Sequence, residues 1–219
     1  MRIFLDTANI EEVRYGVQLG VVSGVTTNPS LAAKEGIGRL DDYRVAVVEI
    51  CRLVQGPVSA EVLSPDVEGM LLEGRTMAAW DPNVVVKLPS TPAGFQAMSS
   101  LSREGVAINQ TLCFSVNQAL LGAQAGATYV SPFVGRLDDE GHDGMKLVED
   151  IVQVFRTYGI ATQVLAASIR HPLHCITAAK AGAHIATIPH KVLLQMMHHP
   201  LTDVGVARFA QDWQRGVKA

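Results

Sequence analysis

With 219 residues, 48% of them hydrophobic, the chain can bury a sizeable core without disulfide or metal staples. Its 18 Lys and Arg against 21 Asp and Glu leave a formal charge of −3 and a pI near 6.1, which argues against a nucleic-acid partner. Three widely spaced cysteines, Cys51, Cys113 and Cys175, form no CxxC pair and so point neither to a disulfide framework nor to a zinc knuckle.

The first apolar run, 2–5, ends at Asp6, and Asn9 with Glu12 marks a helix start. A second short strand at 24–26 follows, then a helical pattern over 41–54 and a strand at 58–62. The same rhythm continues through a helix at 67–79, a strand at 84–88, a helix at 93–104 and a strand at 106–109. It goes on with a helix at 115–125, a strand at 129–132, a helix at 145–158 and a strand at 163–166. A helix at 173–181 and a strand at 184–187 complete it. Gly105, Gly126, Gly159 and Gly182 stand where helices end before the next strand.

Eight alternations predict an α/β fold with a parallel sheet, and about 27 residues per unit fits a compact (β/α)8 TIM barrel. The barrel is expected to form one domain over 1–219, with an extra C-terminal helix over about 204–214. The aromatics of that helix, Phe209 and Trp213, need a surface, either the barrel or a neighbouring subunit. An open doubly wound sheet is the alternative, but its glycine-rich first turn is missing from Leu5-Asp6-Thr7-Ala8-Asn9. Asp6 comes too early for a signal peptide, and no apolar run reaches the length of a membrane span. A cytoplasmic protein without a membrane partner is therefore expected. His171, His174, His198 and His199 are assigned to helices in surface or packing roles, and Met196 and Met197 to a packed helix face. No HExxH occurs and no rim cluster of His with carboxylates suggests a metal, so neither metal nor cofactor is expected.

In such a barrel chemistry sits at the C-terminal ends of the strands. Polar residues fall there in turn: Asp6, Asn28, Glu61, Lys87, Asn109 with Thr111, Ser131 with Arg136, and Ser168 with Arg170. Alternation sorts them by face. Val84, Val86 and Leu88 suit the helix layer, which turns Lys87 and Val85 into the barrel; Asp6 shares a face with Phe4, and Asn109 with Thr111. An inward lysine either pairs with Glu61 or Asp6 to hold the barrel or serves as a nucleophilic amine. Desolvation favours the neutral amine, which can add to a ketone and form a Schiff base that acts as an electron sink. Asp6 and Glu61 are the acid–base candidates, although Asp6 alone could be a helix cap, and Thr111 could hold a water beside Glu61. Arg136 and Arg170 at one rim suit a phosphate dianion, with Ser168 as a further donor.

Taken in order, Phe4-Leu5-Asp6-Thr7-Ala8, Gly24-Val25-Thr26-Thr27-Asn28-Pro29-Ser30 and Val86-Lys87-Leu88-Pro89-Ser90-Thr91 resemble motifs of the small transaldolase and fructose-6-phosphate aldolase family. So do Asn109-Gln110-Thr111-Leu112, Ser131-Pro132-Phe133-Val134-Gly135-Arg136 and Ala166-Ala167-Ser168-Ile169-Arg170. Small departures stand at Ala32 and Phe95, where the family motifs have larger or branched aliphatics. The resemblance implies a metal-free Schiff-base enzyme acting on sugar phosphates. Lys87 matches the imine-forming lysine, Asp6 the proton shuttle for the C4 hydroxyl, and Glu61 with Thr111 the pair that places a catalytic water. Asn28, Asn109 and Ser131 match the groups that hold the dihydroxyacetone moiety, and Arg136, Ser168 and Arg170 the phosphate binders. The aldolase branch has glutamine at the position of Glu61 and tyrosine at that of Phe133, so the resemblance implies the transaldolase branch of this substrate site. It also implies a homo-oligomer, a pentamer or decamer, with the C-terminal helix reaching a neighbour. Fructose-6-phosphate aldolase is the nearest alternative. A metal-dependent aldolase on the same barrel and a sugar-phosphate-binding barrel without turnover are more distant ones.

Overall fold

The structure is a computed structural model that describes residues 1–216; residues 217–219, the end of the expected domain, lie outside the described residues. Its strands are β1 (Arg2–Asp6), β2 (Val25–Thr26), β3 (Val58–Glu61), β4 (Val84–Pro89), β5 (Ile108–Cys113), β6 (Tyr129–Pro132), β7 (Gln163–Ala166) and β8 (Ile185–Ile188). All pair in parallel in chain order, and β1 pairs with β8, closing the barrel. The helices around it are α1 (Ile10–Gln18), α2 (Pro29–Lys34), α3 (Leu40–Val54), α4 (Val67–Ala78), α5 (Pro92–Arg103) and α6 (Val116–Gln124). They continue as α7 (Val134–Asp139), α8 (Gly144–Tyr158), α9 (Pro172–Ala181), α10 (His190–Met197) and the extra C-terminal α11 (Pro200–Gly216). The fold is the expected (β/α)8 TIM barrel with one helix added.

Local chemistry explains the helix starts. Asn9, Asn28, Asp66, Thr91, Ser115 and Asp143 each cap a helix by accepting a backbone N–H of the first turn. Pro29, Pro92 and Pro172 open α2, α5 and α9 where no N–H is needed. Gly159 and Gly182 end α8 and α9 in the left-handed conformation, and Gly105 and Gly126 follow the ends of α5 and α6 with the same sign of φ.

Two apolar layers result. Val86 and Leu88 face the helices, packed with Val58, Ile108, Met98 and Leu101. Phe4, Val85, Tyr129, Leu165 and Ile185 fill the barrel itself. The alternation expected for β4 is therefore observed, and it lifts Lys87 to the layer above Val85. A Cβ at Gly24 would stand 2.5 Å from the Phe4 ring, so β2 is entered through glycine to let that ring lie across the barrel floor.

Some expectations are corrected. The strand expected at 106–109 runs instead from Ile108 to Cys113, carried past Asn109 by an irregularity between Gln110 and Cys113. The C-terminal helix begins at Pro200 rather than 204. His171 is the N-cap residue of α9, His198 the C-cap residue of α10 and His199 lies between helices, so of the four only His174 is in a helix. Met196 and Met197, at the C-terminal end of α10, are exposed rather than packed.

Candidate active site

The C-terminal ends of the strands surround a cavity of about 280 Å³. Lys87, Asp6, Asn28, Ser131, Phe133, Arg136, Ser168 and Arg170 all line it. Glu61, Asn109 and Thr111 do not: Asn109 and Thr111 are fully buried, and Glu61 lines a second cavity of about 240 Å³ together with Tyr43.

Lys87 is only 4% exposed. Its Nζ stands 2.9 Å from Glu61 Oε2 and donates to the Thr27 carbonyl at 3.1 Å. The contact follows from register: Glu61 is opposite Lys87 on β3, and Asn109 opposite it on β5. The amine therefore sits between a carboxylate on one strand and an amide on the next, nearly buried, where water screens them less than at the surface.

Behind this pair Tyr43 of α3 sends its hydroxyl into the barrel wall. The hydroxyl accepts from the Glu61 backbone N–H at 3.2 Å and is hydrogen-bonded to Thr27 Oγ1, which itself donates to the Ser59 carbonyl at 2.8 Å. Burial pushes the Tyr43 phenol up to about 12, so it stays a neutral donor.

Asp6 ends β1, beside Thr26 in register on β2. Thr26 Oγ1 donates to Asp6 Oδ1 at 2.7 Å and lies 2.6 Å from Thr187 Oγ1. A hydroxyl has one hydrogen, so Thr187 is the donor in the second bond. Burial raises the Asp6 carboxyl above the ordinary aspartate value, against the pull of Lys87 and the Thr26 hydroxyl; the charge of Glu61 adds to the rise. Asp6 caps no helix, since α1 is capped by Asn9.

Across the barrel Ser131 Oγ donates to Asn109 Oδ1 at 2.6 Å, and Asn109 Nδ2 donates to Ser59 Oγ at 3.0 Å. Asn28 spends its Oδ1 on capping α2, at 2.9 Å from the Leu31 N–H, which turns its amide group toward the cavity it lines. Thr111 is fully buried, and its Oγ1 has no hydrogen-bond partner among the described residues. A buried hydroxyl of that kind is suited to an incoming water or substrate.

The far end of the cavity is cationic. Arg136 of α7 lies over the Phe133 ring, 4.9 Å from its centroid, and Phe133 meets Phe114 edge-on at 5.7 Å. Ser168 takes φ 58°, and Arg170 reaches Asp139 Oδ2 at 2.6 Å. The Arg170 side chain crosses Gly135, where a Cβ would stand 2.5 Å from its Nε. Gly135 N also donates to the Ser168 carbonyl at 2.9 Å, tying α7 to the β7–α9 loop.

Sequence reasoning did not single out Thr26, Thr187, Tyr43, Ser59 or Lys34, which also lines the cavity. The same alternation that places Asp6 inward would have found Thr26 and Thr187 as hydroxyls in apolar strands. Nothing in the sequence ties Tyr43 to Glu61. The thiols of Cys51 and Cys113 are raised to about 12 by burial, so both stay protonated at neutral pH. Among the described residues no three His, Cys, Asp or Glu side chains gather as a metal-binding group.

The arrangement offers an amine, two carboxylates, a set of amide and hydroxyl donors and two guanidinium groups at one end of the barrel, some lining the cavity and others packed against it. Comparison with known proteins agrees in kind. The family described as Transaldolase/Fructose-6-phosphate aldolase matches residues 3–219. A protein of Dehalococcoides mccartyi named "Probable transaldolase" is 64% identical over 98% of each chain. Proteins of the same name from Heliobacterium modesticaldum and a Thermoanaerobacter species are 58% and 56% identical, again over 98% of each chain.

Proposed function

The chain belongs to the transaldolase/fructose-6-phosphate aldolase family, and from that premise we propose that it is a transaldolase. It moves a dihydroxyacetone unit from fructose 6-phosphate or sedoheptulose 7-phosphate to an aldose phosphate, in the non-oxidative pentose phosphate pathway. The observation that carries this reading is the buried amine of Lys87, 2.9 Å from Glu61 at the mouth of the barrel.

The ammonium proton passes to Glu61, and the neutral amine adds to C2 of the ketose. Glu61 and Thr111 hold the water through which protons reach the carbinolamine, and the C2 hydroxyl leaves as water to give the iminium. Asp6 takes the proton of the C4 hydroxyl. The C3–C4 bond breaks, its electron pair runs into the iminium, and an aldose phosphate departs from Arg136, Ser168 and Arg170. The enamine, held by Asn28, Asn109 and Ser131, adds through C3 to the acceptor aldehyde while Asp6 returns its proton. Hydrolysis then frees the new ketose phosphate and Lys87. No step calls for a metal or cofactor.

Glu61 and Phe133 support transfer over free aldol cleavage, because both stand where the aldolase branch differs. The chain acts as one barrel domain in the cytoplasm, as a pentamer or decamer joined through the exposed apolar side of α11.

The test is release of glyceraldehyde 3-phosphate from fructose 6-phosphate, with and without erythrose 4-phosphate. Release that depends on the acceptor is expected; sustained release without it would make the protein an aldolase. Borohydride with fructose 6-phosphate should trap a covalent adduct on Lys87, and Lys87→Met should lose both adduct and turnover. An adduct on another lysine would overturn the assignment.

A further inference from the structure

Beside Arg170 lies a histidine that the mechanism does not use. His174, in the first turn of α9, has a side chain only 12% exposed. Its Nε2 is 3.2 Å from Asp138 Oδ2 on α7, and its Nδ1 accepts the backbone N–H of Arg170 at 3.3 Å. Asp138 is anchored in turn, since its Oδ1 accepts the Gly144 N–H at the start of α8 at 2.9 Å. The next residue, Asp139, holds the Arg170 guanidinium. Two adjacent carboxylates of α7 thus hold Arg170, one by its side chain and one, through His174, by its backbone.

We propose that His174 is a positioning residue for the phosphate site: its neutral imidazole ties α7, which carries Arg136, to the β7–α9 loop, which carries Ser168 and Arg170. The proposal rests on the phosphate reading of these three residues and adds a side-chain tie to the backbone bond between Gly135 and Ser168. The loop needs such a tie. Ser168 holds a left-handed backbone that residues with a Cβ adopt at a cost, so contacts elsewhere must maintain its shape.

The protonation state matters because only one neutral tautomer fits, with Nδ1 as acceptor and Nε2–H as donor. Adding a proton at Nδ1 would set an N–H against the N–H of Arg170. Asp138 faces the ring from α7, Arg170 from the loop and His171 from the cap of α9, its ring centroid 3.8 Å away. Burial, then His171 and Arg170, lower the pKa of His174 below the ordinary histidine value, and Asp138 opposes them. The neutral form is therefore the one present at neutral pH.

The experiment compares wild type with His174→Phe and His174→Asn. Acceptor KM is measured for erythrose 4-phosphate and for erythrose with fructose 6-phosphate saturating, and inorganic phosphate is titrated as a competitive inhibitor. Borohydride trapping with dihydroxyacetone reports on Lys87 separately. His174→Phe should raise the KM for erythrose 4-phosphate and the Ki of phosphate about ten-fold, the loss of one good polar interaction. The KM for erythrose and the trapping should stay unchanged. His174→Asn, whose Oδ1 can still accept from Arg170, should remain within about three-fold of wild type. Below pH 6 the phosphate Ki should climb more steeply in wild type than in His174→Asn, which has no imidazole to titrate. Should His174→Phe not fold, Asp138→Asn loosens the same tie and should move the phosphate Ki the same way, by about three-fold.

Equal changes for both acceptors, a His174→Asn as impaired as His174→Phe, or parallel pH profiles would each overturn the positioning role while leaving the phosphate site in place. A wild type that neither binds phosphate nor distinguishes the two acceptors would instead remove the phosphate reading, and this proposal with it.

Discussion

A carboxylate that takes a proton from a sugar hydroxyl works only while it is ionised, and Asp6 is held where ionisation is resisted. Its raised pKa means that it stays protonated to a higher pH than a free aspartate does. On the acid side kcat/KM for cleavage should therefore fall at a higher pH than the titration of a free aspartate would give. Thr26 opposes that by donating to Asp6 Oδ1. Thr26→Val keeps the shape and removes the donor, so the acid limb should move to higher pH with little change in the alkaline plateau. A limb that stays in place or moves to lower pH would show that the hydroxyl does not support the ionised form.

Tyr43 acts on the amine from further away. Its hydroxyl accepts from Glu61 N–H and meets Thr27, and those two residues supply the carboxylate and the carbonyl on either side of Lys87 Nζ. Tyr43→Phe leaves a buried N–H unpaired, at a cost of about 1–3 kcal/mol. For a chain of this size that lowers Tm by roughly 2–12 °C. The cradle loosens as well, and kcat should drop a few-fold. A variant with wild-type Tm and kcat would mean that the strand ladder alone holds Glu61 and Thr27 in place.

At the scale of elements the site depends on how closely α7 approaches the β7–α9 loop. Gly135 makes the approach possible, since a Cβ there would stand 2.3 Å from the Ser168 carbonyl and 2.5 Å from Arg170 Nε. Gly135→Ala must push the loop or the guanidinium aside. The KM for phosphorylated substrates should rise about ten-fold, equivalent to roughly 1.4 kcal/mol, while dihydroxyacetone still forms its adduct with Lys87. An unchanged KM would mean that Arg170 is free to move without loss.

The same elements mark what a sequence can and cannot say. The bounds of β6 and β7 are the expected ones, because short apolar runs there break cleanly into turn residues. The inward turn of Lys87 is legible too, since Val85 and Val86 fix the two faces of β4. The short helices α2 and α7 escape the helical period because they carry rim residues facing the cavity, Ser30 in α2 and Arg136 in α7, with Asn28 and Phe133 at their caps. β5 outruns its expected end because Gln110, a polar residue in a strand, turns outward to donate to Ser90 Oγ and the Gln118 carbonyl. Contacts such as Asn109 to Ser59, or Tyr43 to Glu61, exist only once the barrel has closed, and no local pattern encodes them.

At the scale of the whole molecule α11 is the unsatisfied part. None of its residues is buried, and Val206, Phe209 and Trp213, spaced i, i+3 and i+7, share one face at 64%, 75% and 77% exposure. Covering each such side chain is worth about 1.5–3 kcal/mol, so three on every subunit make a strong drive for association. The barrel that carries the helix does not supply the cover; in the proposed homo-oligomer a neighbouring copy would. Phe209→Asp with Trp213→Asp places charges in that face, and light scattering should then report a smaller particle than wild type. The site residues all come from within one barrel, so the dissociated subunit should keep Lys87 trapping. Its Tm should fall, because association stabilises the folded state by mass action. A double variant with the mass of wild type would show that α11 is not what joins the subunits. A dissociated variant that no longer forms the Lys87 adduct would show that the barrel mouth takes its working shape only within the assembly.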